Sequence, residues 1–256
     1  MKQWNVMLRK ELSEQIKTHR AFLVLILFCL VGVISPALTK LMPWMFEFMA
    51  EDLAGSGISV GDIHVDALTA WTQYFKNMQL ALIAFLILYS QTLTGEFQRG
   101  TLIILLAKGL RRWTVLLSKL AAALLFWTAG CAAGFLINYA YTAYFWDNRA
   151  AEHLFFSAFC FYLLGAWLIS LIFPASVFFQ SVTAALIGVC AGFLASYLLG
   201  LLPAVREYVP SFLMDTPPLL TGAASSSEYL PCAAVTLGLI LLNTAVSLAG
   251  FRKAAV

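Results

Sequence analysis

Six long apolar segments constrain the fold of this chain more than any other feature of its sequence. A helix rises about 1.5 Å per residue, so about 20 apolar residues cross the roughly 30 Å hydrocarbon core of a bilayer. Apolar residues make up 61% of the chain and charged residues 11%, whereas a soluble domain carries about 25% charge. The sequence therefore predicts an all-α membrane protein, a single domain over residues 1–256, with six transmembrane helices. The predicted spans are residues 21–41, 77–93 (extending outward toward Trp71), 113–140, 154–173, 182–202 and 229–250.

The distribution of Lys and Arg predicts the orientation of these spans. With the N-terminus in the cytoplasm, twelve of the sixteen cations lie beside cytoplasmic span ends, and Lys40, Lys76, Arg149 and Arg206 lie outside. Cytoplasmic loops of membrane proteins carry such an excess of positive charge. We therefore expect a multi-pass protein of the cell membrane, with the bacterial cytoplasmic membrane as the expected location and both termini in the cytoplasm. The first span is longer than the apolar core of a signal peptide, so we interpret it as a retained anchor.

Two segments outside the spans have an apolar character of their own. Residues 1–20 carry five apolar side chains at helical spacing among basic residues, which is typical of a helix lying in the cytoplasmic membrane interface. The alternative is a simple cytoplasmic extension of the first span. Residues 203–228 contain prolines that prevent one continuous helix, and we expect a re-entrant-like segment of broken helices at the extracytoplasmic surface. The apolar positions of the first segment are Trp4, Met7, Leu8, Leu12 and Ile16.

Several classes of function require residues that this sequence does not contain. None of the six predicted spans places an Asp or Glu at mid-membrane depth, where ion-coupled carriers hold their driving ion. The sequence has no GxxxxGK[ST] motif for ATP and no intramembrane-protease pattern. Its five cysteines have neither metal-ligand nor disulfide spacing. We expect no catalytic residue, no metal and no cofactor bound by this chain. Nucleic acid is not an expected partner, because no basic face exists apart from the orienting charges.

A ridge of small residues follows one side of the fifth span. Gly188, Gly192, Ser196 and Gly200 recur at every fourth position. Such spacing lets helix backbones approach closely in lipid, where the hydrophobic effect does not drive helix association. We expect this ridge to form the interface with a second membrane chain, with packing inside one subunit as the alternative.

The loop between the second and third spans, residues 95–112, contains an apolar run that cannot cross the membrane. The run covers seven residues, 101–107, between charged positions, and as a helix it would extend only about 10 Å. Gly100 permits a sharp turn before it, and Thr101 can cap a new short helix through its hydroxyl. The sequence predicts a short helix along the cytoplasmic face, with a merely amphipathic loop anchored to lipid as the alternative.

This loop resembles the first cytoplasmic loop of ABC-2-type permeases, the membrane subunits of one class of ATP-binding-cassette transporters. The resemblance rests on an E-x-x-x-G-T pattern, an apolar turn and a basic pair before the next span, together with the LRKEL sequence before the first span. Six spans and cytoplasmic termini agree with the family over essentially the whole chain. The residues that carry the pattern are Glu96, Gly100, Thr101, Leu102, Leu105, Leu106, Arg111, Arg112 and Lys119.

The resemblance implies a coupling helix that docks onto separate ATP-binding subunits, which would hold the ATP and Mg²⁺. It implies that Glu96 anchors the base of the second span and that the three leucines of the pattern fill a groove on the ATPase. The two arginines would hold the loop against lipid or against acidic residues of the partner. The resemblance also implies a pair of permease chains, identical or different, that meet at their first and fifth spans.

On this basis the sequence predicts the membrane-spanning subunit of an ATP-driven exporter. The expected substrate is amphipathic or hydrophobic, such as a drug, an antimicrobial peptide or a lipid-like molecule, because the spans offer apolar and aromatic surface with almost no charge. ATP hydrolysis is expected on the partner, so the chain itself is not expected to be an enzyme. The alternatives are an ATP-independent six-span carrier or channel and a non-transporting assembly or sensor subunit. The substrate-binding residues stay open at this stage.

Overall fold

The computed structural model describes residues 2–55, 65–102, 107 and 109–253. Within these ranges the long elements are all α-helices, and no residue belongs to a β-strand. Three short 3₁₀-helices, Asn148–Ala150, Arg206–Tyr208 and Pro210–Met214, lie between them. The helices are α1 (Lys2–Lys17), α2 (Arg20–Gly55), α3 (Ala67–Gln98), α4 (Arg112–Phe145), α5 (Leu154–Phe179), α6 (Val182–Leu199), α7 (Pro217–Leu220) and α8 (Ser226–Lys253).

Six of these described helices, α2 to α6 and α8, are long and apolar enough to cross a membrane. This confirms the predicted all-α fold with six spans. Helices α2 and α3 extend furthest past the predicted apolar segments, because backbone hydrogen bonding continues where hydropathy has already fallen. Helix α2 runs on from residue 41 to Gly55. Helix α3 begins at Ala67, where the Asp66 carboxylate accepts a hydrogen bond from the Thr69 amide at 2.8 Å and caps the helix.

The bundle is organised around α5. This helix contacts α3, α4, α6 and α8, and 67% of its most apolar stretch is buried, against 17% for α6. Helix α2 packs on α3 and α4, and α1 packs on the beginning of α4. The polypeptide therefore forms one group from α1 to α4 and a second from α5, α6 and α8, joined through contacts of α5 with α3 and α4.

An aromatic cluster fills the junction of the two groups. Trp127 of α4 is fully buried and donates its indole N–H to the Tyr162 carbonyl at 3.1 Å. Its ring lies 5.5 Å from Phe28, 5.3 Å from Phe85 and 6.2 Å from Phe161, measured between centroids. The ring also rests against the backbone of Gly165, which has no side chain to displace it. This packing fixes α5 against α4.

Replacing Gly165 by Ala is expected to destabilise the fold by about 1–3 kcal/mol, the usual cost of overpacking a dense core. A methyl group at this position overlaps three ring atoms of Trp127, so α4 and α5 must move apart. The unfolding midpoint in detergent measures the effect. Gly238→Ala in α8 is the matched control, because nothing lies within 4 Å of the added methyl group there. Equal midpoints for the two variants would show that the Trp127 contact does not hold the helices.

Residues 203–228 fold back onto the bundle instead of forming an extended linker. The segment contains two 3₁₀-helices and α7, which pack against α3, α5, α6 and α8. Leu213, Leu219 and Leu220 are fully buried. The Tyr229 hydroxyl donates to the Asp215 carbonyl at 2.7 Å and so ties the segment to the start of α8. Broken helices are therefore present here, while their depth in a bilayer stays a prediction.

Candidate functional site

A buried cluster of charged side chains joins α1 to the ends of α3 and α4 that we predict to be cytoplasmic. Lys119 Nζ lies 2.9 Å from Glu11 Oε2 and 2.9 Å from Glu96 Oε1. Lys10 Nζ lies 3.0 Å from Glu11 Oε1 and 3.1 Å from Glu96 Oε1. The side chains of Lys119 and Glu11 are each only 1% exposed. Because an unpaired buried charge costs several kcal/mol, the alternation of signs fixes these three helices relative to one another.

Lys10 lies at the edge of this cluster and connects it to the solvent. Its ammonium group is 2.9 Å from Glu14 Oε2, one helical turn away. Burial by itself lowers the pKa of Lys10, but the hydrogen bond to Glu14 and the charges of Glu11 and Glu96 outweigh it and raise the pKa above its ordinary value. For Glu14, burial is likewise outweighed, and the hydrogen bond with Lys10 lowers the pKa of the carboxyl group. Both groups are therefore charged at neutral pH.

Sequence reasoning identified Glu96 and Lys119 as parts of the loop pattern, but it did not predict that the two side chains contact each other and Glu11. It assigned the important face of α1 to the apolar series from Trp4 to Ile16. In the structure Met7, Glu11 and Gln15 point into the protein, whereas the Ile16 side chain is 62% exposed. The spacing of four between Met7, Glu11 and Gln15 was the available signal, since it places all three on one helix face. An interfacial position for α1 in a bilayer stays a prediction.

The described residues of the loop 95–112 agree with the prediction at Gly100 and differ from it at Leu102. Gly100 has a φ of 65°, which glycine adopts at little cost, so the turn predicted there is present; Gly109, with a φ of 80°, forms a second such turn. The Thr101 hydroxyl donates to the Glu96 carbonyl at 3.5 Å; the amides that it would cap lie outside the described residues, so its role as a helix cap stays a prediction. The Leu102 side chain is fully buried in this chain, so it is not free to enter a groove on a partner. Leu105 and Leu106 lie outside the described residues.

The two arginines of the loop have different environments. Arg111 is exposed at the residue that precedes α4. Arg112 donates to the Phe251 carbonyl at 2.8 Å, and its guanidinium lies 6.0 Å from the Phe251 ring. It thus satisfies a free carbonyl near the end of α8 and places positive charge there, where the helix dipole is negative. The sequence assigned Arg112 to lipid or a partner, but the contact described is within the chain.

The small-residue ridge of α6 also packs inside the chain. A methyl group added at Gly188 would lie 3.0 Å from Ala175 Cβ, and one at Gly192 would lie 3.0 Å from Leu171 Cδ1, both on α5. Ser196 Oγ accepts a hydrogen bond from the Ser211 amide at 3.0 Å. An added Cβ at Gly200 would lie 3.2 Å from Ser211 Oγ. These positions therefore have neighbours within the chain, as the alternative of packing within one subunit expects, while the interface with a second membrane chain stays a prediction.

An open cavity lies between α3, α6 and the folded-back segment, at the ends predicted to be extracytoplasmic. Its volume is about 560 Å³, within the range typical of small-molecule sites. Its lining includes the aromatic side chains of Phe75, Tyr197 and Phe212. It also includes Lys76 and further polar side chains. The remaining lining residues include Thr72, Gln79, Arg206, Ser211 and Asp215.

The folded-back segment contributes the charged side chains of Arg206 and Asp215 to the lining of this cavity. Arg206 and Asp215 form an exposed ion pair at 3.2 Å, and the Arg206 guanidinium lies 5.3 Å from the Phe212 ring. Phe212 in turn stacks on Tyr229 with centroids 4.4 Å apart. Polar and apolar surfaces thus meet across one open cavity, which suits an amphipathic ligand. The sequence offered no site here because its residues lie more than a hundred positions apart.

The six apolar helices of the described ranges, where no β-strand is present, indicate a multi-pass membrane protein. A family model described as "ABC-2 family transporter protein" matches residues 4–220, which is most of the chain. The chain therefore belongs to the ABC-2 transporter family and is a membrane permease subunit. The matched range includes α1 to α7 and stops before α8. No curated protein sequence matches the chain significantly.

Membership of this family has general consequences for the chain. The family supplies the membrane component of transporters, which is generally not catalytic itself and associates with ATP-binding-cassette subunits. The family match agrees with the resemblance that the loop pattern indicated. Lys119, which was part of that pattern, lies at the centre of the buried cluster beside Glu96.

Proposed function

We propose that this chain is the membrane-spanning subunit of an ATP-driven exporter for amphipathic or hydrophobic compounds. The observation that carries the proposal is the open cavity of about 560 Å³ between α3, α6 and the folded-back segment. An amphipathic molecule can place its apolar part against Phe75 and Tyr197 and its polar part near Lys76 and Arg206. With the predicted orientation, the cavity would lie at the outer end of the bundle, where an exporter releases the transported compound.

A strip of exposed apolar side chains on α3 supports this assignment. Leu80, Ile83 and Ile87 are all at least half exposed, and they follow Lys76 and Gln79 along one face of the helix. Large apolar side chains on a membrane helix face lipid, another chain or an apolar ligand. The strip offers a continuous apolar path from the cytoplasmic half of α3 to the outer cavity, on the side where α6 lies.

The energy would come from ATP bound with Mg²⁺ on partner subunits, since the sequence has no ATP motif of its own. The charged cluster supports a mechanical role for the loop between α3 and α4. Glu96 is one turn from the end of α3, and its carboxylate contacts Lys119 of α4 and Lys10 of α1. A displacement of the loop would therefore move three helix ends together. A pair of permease chains, identical or different, would enclose the transport path.

Reconstitution with the partner ATPase tests the proposal directly. The tagged chain is purified from its native membrane in mild detergent, and copurifying proteins are identified by mass spectrometry. We expect a stoichiometric ATP-binding-cassette subunit and, in proteoliposomes, ATP-dependent movement of a fluorescent amphipathic compound. Transport without any ATPase would favour a stand-alone carrier or channel. Complex formation without transport of any compound would favour an assembly or sensor subunit.

Filling the outer cavity is expected to block transport without harming the fold. Thr72→Trp adds a large ring to the wall of the cavity, where Thr72 is only half buried. We expect substrate-stimulated ATPase activity to fall by about tenfold, which corresponds to about 1.4 kcal/mol. Thr183→Trp is the control, because Thr183 is exposed on α6 and does not line the cavity. Unchanged stimulation in Thr72→Trp, with the protein correctly inserted, would exclude this cavity as the substrate site.

A further inference from the structure

A second, polar pocket lies at the other end of the α3–α6 face. Its volume is about 270 Å³, and it is bounded by α1, the start of α2, the last two turns of α3 and the first turns of α4 and α6. Its position beside the charged cluster places it at the predicted cytoplasmic membrane interface. Its lining consists of Glu11, Glu14, Gln15, Arg20, Gln91, Thr92, Gly95, Glu96, Gln98, Arg99, Lys119 and Val182.

Three acceptor atoms of the pocket residues are buried and have no hydrogen-bond partner among the described residues. They are Gln15 Oε1, Thr92 Oγ1 and Glu96 Oε2. Gln15 is only 3% exposed and Thr92 only 8%. Buried polar atoms in folded proteins are almost always hydrogen-bonded, and an unpaired carboxylate oxygen is especially costly. A ligand in the pocket that donates several hydrogen bonds would satisfy these atoms.

The charges of the pocket favour a zwitterion over a metal ion. Three carboxylates and three cations are among its described lining residues. Both oxygens of Glu11 and Oε1 of Glu96 are already occupied by Lys10 and Lys119, so few carboxylate oxygens remain for a divalent cation, which needs about six oxygen ligands. A primary ammonium beside Glu96 can donate to the unpaired acceptors. Arg20 and Arg99, at the rim, can bind a neighbouring phosphate.

The pocket also opens toward apolar surface that suits acyl chains. Gln91 lines it and accepts a hydrogen bond from Arg20 at 3.3 Å. Ile87 and Ile83, four and eight residues before Gln91, lie above it on the same helix face and are 50% and 55% exposed. A ligand whose polar group fills the pocket can therefore lay a hydrocarbon chain along this strip.

We propose that this pocket binds the headgroup of a phospholipid with a primary amine, such as phosphatidylethanolamine, from the cytoplasmic leaflet. The ammonium donates to Gln15 Oε1, Thr92 Oγ1 and Glu96 Oε2, the phosphate contacts the rim arginines, and the acyl chains lie along the α3 strip. The bound lipid completes the hydrogen bonding of Glu96 and thereby braces the charged cluster. The polar pocket is separate from the outer cavity and lipid binding requires neither ATP nor a transported compound, although both proposals use the apolar strip of α3.

A binding series on the purified full chain in detergent tests the proposal. The probes are phosphatidylethanolamine, its N-methyl and N,N-dimethyl forms and phosphatidylcholine, all with identical acyl chains, measured by displacement of a fluorescent lipid. The series removes N–H donors one at a time while keeping the charge. We expect affinity to fall with each methylation and to be about tenfold lower for phosphatidylcholine, as the loss of a charged hydrogen bond implies. Equal affinity across the series overturns the proposal. The absence of lipid binding also overturns it, because water would then be the donor to the three acceptors of the pocket.

Two further arms identify the residues and the source of the ligand. Thr92→Val removes one acceptor with little change in shape and is expected to lower the preference for phosphatidylethanolamine by a factor of about five. Thr94→Val is its control, because the Thr94 hydroxyl bonds only the Ser90 carbonyl of its own helix and lies outside the pocket. Glycerophosphoethanolamine has the same headgroup without acyl chains and is expected not to displace the lipid. Equal displacement by this soluble compound would contradict a lipid ligand.

Discussion

Replacing Lys119 by Met is expected to destabilise the protein by about 3–5 kcal/mol, the cost of breaking a buried ion pair by removing one partner. Lys119 is the cation that contacts both Glu11 and Glu96 at 2.9 Å. Its removal leaves these two carboxylates with Lys10, whose own side chain is 40% exposed. Methionine fills much of the same volume, so the effect reports charge rather than a cavity. The midpoint of thermal or chemical unfolding in detergent measures it.

Two comparison variants make this result specific. Lys17→Met removes an exposed cation from the last turn of α1 and is expected to change the midpoint little, as exposed charges usually do. Glu11→Gln combined with Lys119→Met is expected to cost less than the sum of the single changes, because the two residues interact directly. A Lys119→Met midpoint equal to that of Lys17→Met would mean that the cluster does not stabilise the fold.

Glu96→Ala is expected to separate ATP hydrolysis from transport. The change removes the carboxylate that links the end of α3 to α1 and α4, while Lys119 keeps its bond to Glu11, so the protein should still insert and fold. Each hydrogen bond between charged groups contributes about 1.5–3 kcal/mol. Loss of the link should therefore lower ATP-dependent transport by about tenfold or more, with ATPase activity of the partner retained. Proteoliposomes containing both subunits allow the two rates to be measured together.

The paired substitution Leu105→Asp and Leu106→Asp tests the same step from the side of the loop. If these leucines enter a groove on the ATPase, the added charges should uncouple or release that subunit while membrane insertion is unchanged.

Glu14→Ala is the control for Glu96→Ala, since Glu14 also bonds Lys10 but its side chain is 45% exposed and forms no ion pair with Lys119. Normal transport in both the Glu96 and the leucine variants would exclude the coupling assignment.

Hydropathy predicted the spans well but placed their ends less accurately. A run of apolar residues reports where a helix lies in hydrocarbon, whereas backbone hydrogen bonds continue beyond it. For this reason α2 reaches Gly55 and α3 begins at Ala67, several residues outside the apolar segments. The glycine turns at Gly100 and Gly109 were predictable for a different reason, because a left-handed backbone is a local property that glycine permits at little cost.

The partners of individual side chains were not predictable in this way. The spacing of Gly188, Gly192, Ser196 and Gly200 indicates close helix packing, but the same spacing serves a second chain or a neighbouring helix equally well. Likewise, Arg112 in a basic pair looks like an orienting charge at the membrane surface. Its contact with the Phe251 carbonyl joins residues 139 positions apart, and no local pattern encodes such a distance.

The sequence by itself determined the membrane class, the six helices and the family, because these follow from hydropathy, helix period and a short loop pattern that are all local along the chain. Only the tertiary structure decided which surfaces meet. It placed Glu11, Glu96 and Lys119 in one buried cluster, turned the ridge of α6 toward α5, and brought α3, α6 and residues 203–217 around one cavity. These outcomes depend on how distant helices pack and on which buried charges and acceptors then find partners.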